Sequence, residues 1–128
     1  SGSKMPTVEV IARVEASRRE QPVLFDALFA LAEQTTDEGL VALRAGDWKR
    51  FGAAMNVGQG LMDAMGVNNE ALARIVFALR RDAGIVGAKI SGSGLGDCAV
   101  GMGRLQAPYP AGEVMEIEID PAGVRREG

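Results

Sequence analysis

Lys89-Ile90-Ser91-Gly92-Ser93-Gly94-Leu95-Gly96-Asp97-Cys98 is the stretch that decides how this chain is understood. Its middle packs three glycines and two serines into six residues, Ser91 to Gly96, between two segments that alternate like strands. Before it, Ala88 and Ile90 alternate with Gly87 and Lys89; after it, Cys98, Val100 and Met102 alternate with Ala99 and Gly101. A glycine-rich loop of this kind lets backbone N–H groups turn inward, and the serine hydroxyls add donors for an anion. The favoured chemistry is binding of phosphate or another small anion. The same composition also serves an ordinary hairpin turn that binds nothing. There is no Walker A pattern, Lys89 has the alternative of being a solvated strand residue, and Asp97 repels phosphate unless it caps the turn or faces away.

Working outward, the segment before the loop is helical. Val10, Ile11 and Val14 space a first helix that runs from Pro6-Thr7 to about Glu20. Pro22 suits the first turn of a second, with Leu24, Ala27, Leu28 and Leu31 on one face and a continuation past Gly39 to Ala45. Gly46 supplies the stop and Asp47 a fresh N-cap for a third helix, from Trp48 to about Met65, terminated by Gly66. Asn68 or Asn69 caps a fourth, whose Leu72, Ile75, Val76 and Leu79 form one stripe ending at Gly84. Strand signals begin at Val86 and end with Met115, Ile117 and Ile119 alternating against Glu116 and Glu118. Residues 105–112, with Pro108 and Pro110, make an irregular connection. This order predicts a single α+β domain over residues 1–128: a two-layer, ferredoxin-like sandwich whose antiparallel sheet is covered on one face by about four helices. Met55, Met62 and Met65 on the third helix suit core packing better than an interface. Glu33, Asp37 and Glu38 suit a solvated face better than a catalytic base.

Composition excludes several functions. The 128 residues contain no histidine and a single cysteine, which removes His-based triads, nearly every zinc site, disulfide frameworks and thiolate metal clusters. A formal charge of -3, with scattered basic pairs, argues against nucleic acid. No apolar run reaches the length of a membrane span and no signal-peptide pattern opens the chain, so a cytoplasmic protein without a membrane partner is expected.

The loop and its surroundings resemble a known family, the GHMP kinases, most closely in their mevalonate kinase branch. Lys89 to Cys98 is similar to that family's third motif, approximately K-L-T-G-A-G-G-G-G-C, with Ser91 on the threonine, Ser93 on the alanine, and Gly92, Gly94, Gly96 and Cys98 matching. Leu95 and Asp97 replace glycines, which leaves the acceptor in doubt. Met55-Asn56-Val57-Gly58-Gln59-Gly60-Leu61, followed by Gly66-Val67, resembles the family's M-N-x-x-Q-x-L…L-G-V helix, and Ser1 to Thr7 its segment after a strand. The match covers residues 1 to about 103 and stops where 104–112 is too short for the helix that usually follows. On the resemblance, the opening residues are native and a strand lies upstream of them.

The resemblance implies the C-terminal domain of an ATP- and Mg²⁺-dependent enzyme phosphorylating an alcohol, mevalonate in the first instance, in isoprenoid biosynthesis. It implies a phosphate loop of Ser91, Gly92, Ser93, Gly94, Leu95, Gly96 and Asp97, with Ser93 nearest the acceptor and Lys4 and Thr7 lining its pocket. Asp97 is expected off the phosphate face. The family's catalytic aspartate, its partner lysine and its P-x-x-x-G-L-G-S-S-x loop belong to an N-terminal half, and no such motif occurs here. The chain is therefore expected to carry no catalytic residue or metal ligand, to be inactive alone, to need the N-terminal kinase half, and to form a homodimer. Other GHMP acceptors (homoserine, phosphomevalonate or a sugar) remain open, as does a non-catalytic ligand-binding or dimerisation module.

Overall fold

The computed structural model describes residues 4–96, 98–108 and 114. Four helices precede two strands: α1 Thr7–Glu20, α2 Pro22–Ala45, α3 Trp48–Ala64, α4 Glu70–Arg81, β1 Ile85–Ile90 and β2 Ala99–Gly103. The expected final strand, Met115 to Ile119, lies outside the described residues.

The helix boundaries follow from local chemistry. Pro22 opens α2, where its missing N–H costs nothing. Gly46 ends that helix in the left-handed region at φ 69°. The carboxylate of Asp47 then accepts the Arg50 N–H at 3.1 Å and starts α3. Asn69, rather than Asn68, caps α4 by accepting the Leu72 N–H at 2.8 Å. Gly84 was expected to stop α4, but the helix ends at Arg81. Asp82 is extended and its carboxylate accepts the Gly84 N–H at 2.8 Å, so an Asx turn terminates the helix before the glycine is reached.

β1 and β2 pair antiparallel, with Lys89 opposite Val100 and Ile90 opposite Ala99. β1 starts at Ile85, one residue before the expected Val86, because a bulge at Val86 separates the Ile85–Gly103 and Gly87–Met102 pairs. The core sits where α3 and α4 meet β1: Leu72, Val76, Ala88 and Ile90 are at most 1% exposed. Gly101, opposite Ala88, faces Leu79 of α4.

α3 does more than cover a face. It lies along the outer edge of β1, where Asn56 Oδ1 accepts the Ala88 N–H at 3.0 Å and Gln59 Oε1 accepts the Ile90 N–H at 2.7 Å. Two backbone donors of an unpaired edge are thereby satisfied by side chains one helical turn apart. The approach is so close that a Cβ on Gly52 would collide with the Val86 carbonyl, and one on Gly87 with the Gly52 backbone. Both positions therefore require glycine for space. As a result β1 is packed on both of its sides, a refinement of the expected single covered face. α2 packs on α3 and α1 packs on α2, forming a second tier.

The apolar stripe expected on α2 is not a buried one. Leu24 and Leu31 are exposed, and Phe25, Gly39 and Ala42 are the buried positions instead. In α1, Val10 is buried while Ile11 is exposed. Helical spacing shows which residues share a face, and in this second tier the face they share is uncovered among the described residues. Met55 is buried as expected, and Glu33, Asp37 and Glu38 are exposed, Glu38 pairing with Arg50 at 2.9 Å.

Candidate functional site

The loop between β1 and β2 is held by three backbone bonds. Its base is closed by the Ser91 N–H donating to the Cys98 carbonyl at 3.0 Å. Its far side is tied to the segment between α3 and α4 by the Leu95 N–H donating to the Val67 carbonyl at 2.8 Å. The Leu95 carbonyl in turn accepts the Met5 N–H at 3.1 Å, linking the loop to the residues before α1. A loop pinned at three points by neighbouring elements holds its remaining groups in a fixed arrangement.

The sequence supports that path residue by residue. Gly94 has φ 94° and is buried; a Cβ there would sit 2.6 Å from both the Val67 carbonyl oxygen and its Cβ. Only glycine fits, on conformational and steric grounds together. Gly92 has φ 82° and faces open space. Leu95, which stands where the resembled motif has glycine, adopts φ 50°, a left-handed conformation uncommon for a branched side chain. Its two backbone hydrogen bonds hold it there.

Among the described residues, the N–H groups of Gly92, Ser93, Gly94 and Gly96 have no hydrogen-bond acceptor. Several donors left open in one short loop with two positive-φ glycines suit an anion. Ser91 is exposed and Ser93 half-buried. The residues present thus fit phosphate oxygens. The described residues hold no group of three or more His, Cys, Asp or Glu able to bind a metal ion.

The other expected site residues divide. Lys4 is brought to the loop: a Cβ on Gly96 would be 3.6 Å from Lys4 Cγ, and the lysine is otherwise exposed. Thr7 opens α1 and is exposed; its link to the loop runs only through Met5, two residues earlier. Asp97, and with it the expectation that its carboxylate lies off the phosphate face, falls outside the described residues.

Lys89 is neither a loop ligand nor a solvated strand residue. Its stem runs over Gly58 of α3, its Nζ donates to the Ile90 carbonyl at 2.9 Å, and burial pushes its pKa down. Val67, Met5, Asn56 and Gln59 were not singled out as holding the site. For Asn56 and Gln59 a signal existed: two amides on the helix face that carries Gly52 and Met55 toward the sheet. For Val67 the signal was its place directly after the terminator Gly66.

This fold and this loop define a class, and comparison with known proteins identifies it: residues 40–115 match the family model "GHMP kinases C terminal", so the chain belongs to that family. The match runs past Gly103, where the motif comparison had ended. The relatives are consistently of one kind. The chain is 37% identical over 103 residues to a mevalonate kinase of Pyrococcus furiosus, covering 77% of this chain and 30% of that protein. It is 32% identical to one of Thermococcus gammatolerans, covering 99% of this chain and 41% of the relative. Among solved structures, the L. major mevalonate kinase in complex with R-mevalonate matches with a TM-score of 0.74 and 33% identity, covering 78% of this chain and 30% of that one. A protein from Listeria innocua shares the fold, with a TM-score of 0.73 at 15% identity. The chain thus spans between 30% and 41% of the length of these mevalonate kinases. No described helix is long and apolar enough to cross a membrane.

Proposed function

We propose that this chain is the acceptor-side part of a mevalonate kinase, transferring the γ-phosphoryl group of ATP to the mevalonate hydroxyl. The observation that carries this is the pinned loop Ser91–Gly96, with four N–H donors that no described residue accepts, in a chain whose relatives are mevalonate kinases. Phosphoryl transfer depends mainly on positioning and charge neutralisation, and fixed donors supply both without covalent chemistry. In this reading the amides of Gly92, Ser93, Gly94 and Gly96 bind phosphate oxygens and the Ser93 hydroxyl sits nearest the acceptor. Lys4 contributes positive charge at the loop's rim, and Thr7 lines the same side. ATP would supply the transferred group, and Mg²⁺ would neutralise charge on its phosphates.

Catalysis in this reading needs a second, N-terminal half that carries the general base and the main nucleotide loop. The isolated 128-residue chain is inactive, and a homodimer is the expected assembly. The test is to assay the natural polypeptide carrying this segment with ATP and a panel of alcohols: mevalonate, phosphomevalonate, homoserine and a sugar. Mevalonate as the preferred acceptor by kcat/KM supports the assignment; preference for another alcohol moves it within the family. No turnover on any of them, with no protection of Ser91–Gly96 amides by Mg-ATP, supports a non-catalytic module instead.

A further inference from the structure

A cavity of about 360 Å³ lies between α2 and α3 and shares no lining residue with the loop. That volume is at the lower end of the roughly 300–1,000 Å³ of small-molecule sites. Its walls are mostly apolar, with Leu40, Phe51, Leu61, Met62 and Met65 among them, and Lys89 is the one charged residue. Thr35 and Thr36 also line it, but their hydroxyls donate to the Leu31 and Ala32 carbonyls of their own helix, at 2.6 and 3.0 Å. The donor left for an incoming group is therefore the Lys89 ammonium.

That ammonium is incompletely satisfied. It has three N–H donors and gives one to the Ile90 carbonyl. No carboxylate among the described residues lies within salt-bridge distance of it. Burial acts on it without a compensating charge and lowers its pKa. A half-buried cation at the wall of an apolar cavity calls for an anion that brings its own apolar body. Met62 and Met65, both half-buried and unbranched, can adjust to an aliphatic chain.

We propose that the cavity between α2 and α3 binds an amphipathic monoanion, with an aliphatic tail against Phe51, Met62 and Met65 and a carboxylate or phosphate head on Lys89 Nζ. The site stands apart from the proposed phosphate loop, so its occupancy is independent of whether the chain belongs to an active kinase.

The experiment titrates this chain with decanoate, decyl phosphate and decanol, following the methionine methyl signals and the Lys89 Cε signal by NMR. The expected result is saturable shifts at Met62 and Met65 for the anions, with decanol at least tenfold weaker. Lys89 Cε should report a raised pKa in the complex, and the ranking of decanoate against decyl phosphate identifies the head group. Lys89→Met, which keeps the stem but removes the charge, should bring the anions to the level of decanol. Absence of saturable shifts, equal affinity for decanol, or full anion affinity in Lys89→Met would each overturn the proposal. Should the variant fail to fold, the anion-to-alcohol ratio of the unaltered chain decides alone.

Discussion

The two tiers of the helical layer bury apolar residues to different degrees. Around β1, Leu72, Val76, Ala88 and Ile90 are sealed by α3 and α4, and even the strand's edge donors are matched by Asn56 and Gln59. In α1 and the start of α2, Val8 and Val23 are 80% and 81% exposed, with Ile11 and Leu24 beside them in the sequence and also exposed. The inner tier holds the largest fully buried side chains, Leu72, Val76 and Ile90, although Phe77 of α4 is 57% exposed. The outer tier displays apolar side chains that the described residues do not cover. One lesson is that helical periodicity reports a stripe, while the partner of that stripe is a tertiary fact. A second is that the proposed chemistry is mounted on the inner tier, beside the most deeply buried side chains.

The sharpest way to break the contrast is to truncate a leucine in each tier. Leu72→Ala removes a fully buried side chain between α4 and the sheet, and should cost about 3 kcal/mol, within the roughly 2–5 of such changes. Urea unfolding measures it. A loss under 1 kcal/mol would mean that the inner tier is loosely packed.

A smaller but more local effect is expected at the loop. Gly94→Ala places a Cβ at 2.6 Å from Val67 and forces an L-residue to φ 94°, a strain of order 1–3 kcal/mol. Within the natural polypeptide it should raise the KM for ATP, because the loop must move off Val67 to accept the methyl. Unchanged kinetics would show that Val67 does not position the loop. Gln59→Leu tests the edge in the same range: the Ile90 N–H loses its acceptor inside the core, at a cost of about 1–3 kcal/mol. Amide exchange at Ile90 should accelerate more than at Ala88, which keeps Asn56.

How far the sequence carried can be judged from these residues. The four helices and most of their ends were legible because Gly46, Asp47, Asn69 and Pro22 act through their own backbone neighbourhood; the end of α4 was not, because Asp82 stops it before Gly84. The loop was legible because its glycines encode conformation. Lys89 was not, because its fate depends on Gly58, thirty-one positions earlier in the chain, lying beneath its stem. The glycines at 52 and 87 carried no local sign of their mutual contact for the same reason. The α2 stripe misled because Leu24 and Leu31 obey the spacing of a buried face without being buried. Only the resemblance to a family pointed to the proposed phosphate loop rather than to a plain hairpin turn, since both use the same residues.

A milder perturbation separates the segment after β2 from the core. The Asp82 carboxylate accepts N–H bonds from Gln106, Gly84 and Ala107, and these, Gln106 foremost, hold its pKa below the ordinary aspartate range. A depressed folded-state pKa means that the carboxylate stabilises the fold above its unfolded value, and that the contribution fades as pH falls through the folded one. Asp82→Asn should therefore be less stable than the unaltered chain at neutral pH, and the difference should vanish toward acid, below the aspartate range. Exchange of the Gln106 and Ala107 amides should quicken in the variant at neutral pH. A difference independent of pH would assign the effect to geometry rather than charge.

The smallest effect is expected in the outer tier, and it bears most directly on what that tier is for. Leu24→Ser removes an apolar side chain that is already 59% exposed, so the stability of this chain should change by no more than about 0.5 kcal/mol. In the natural polypeptide the same substitution has two possible outcomes. If the uncovered face of α1 and α2 meets another part of the protein, Leu24→Ser should cost more there than in this chain, by the apolar area the contact removes from water. If the face stays in solvent, the two costs should be equal. Measuring one substitution in both contexts thus separates the intrinsic stability of the tier from whatever covers it, which exposure in this chain alone does not do.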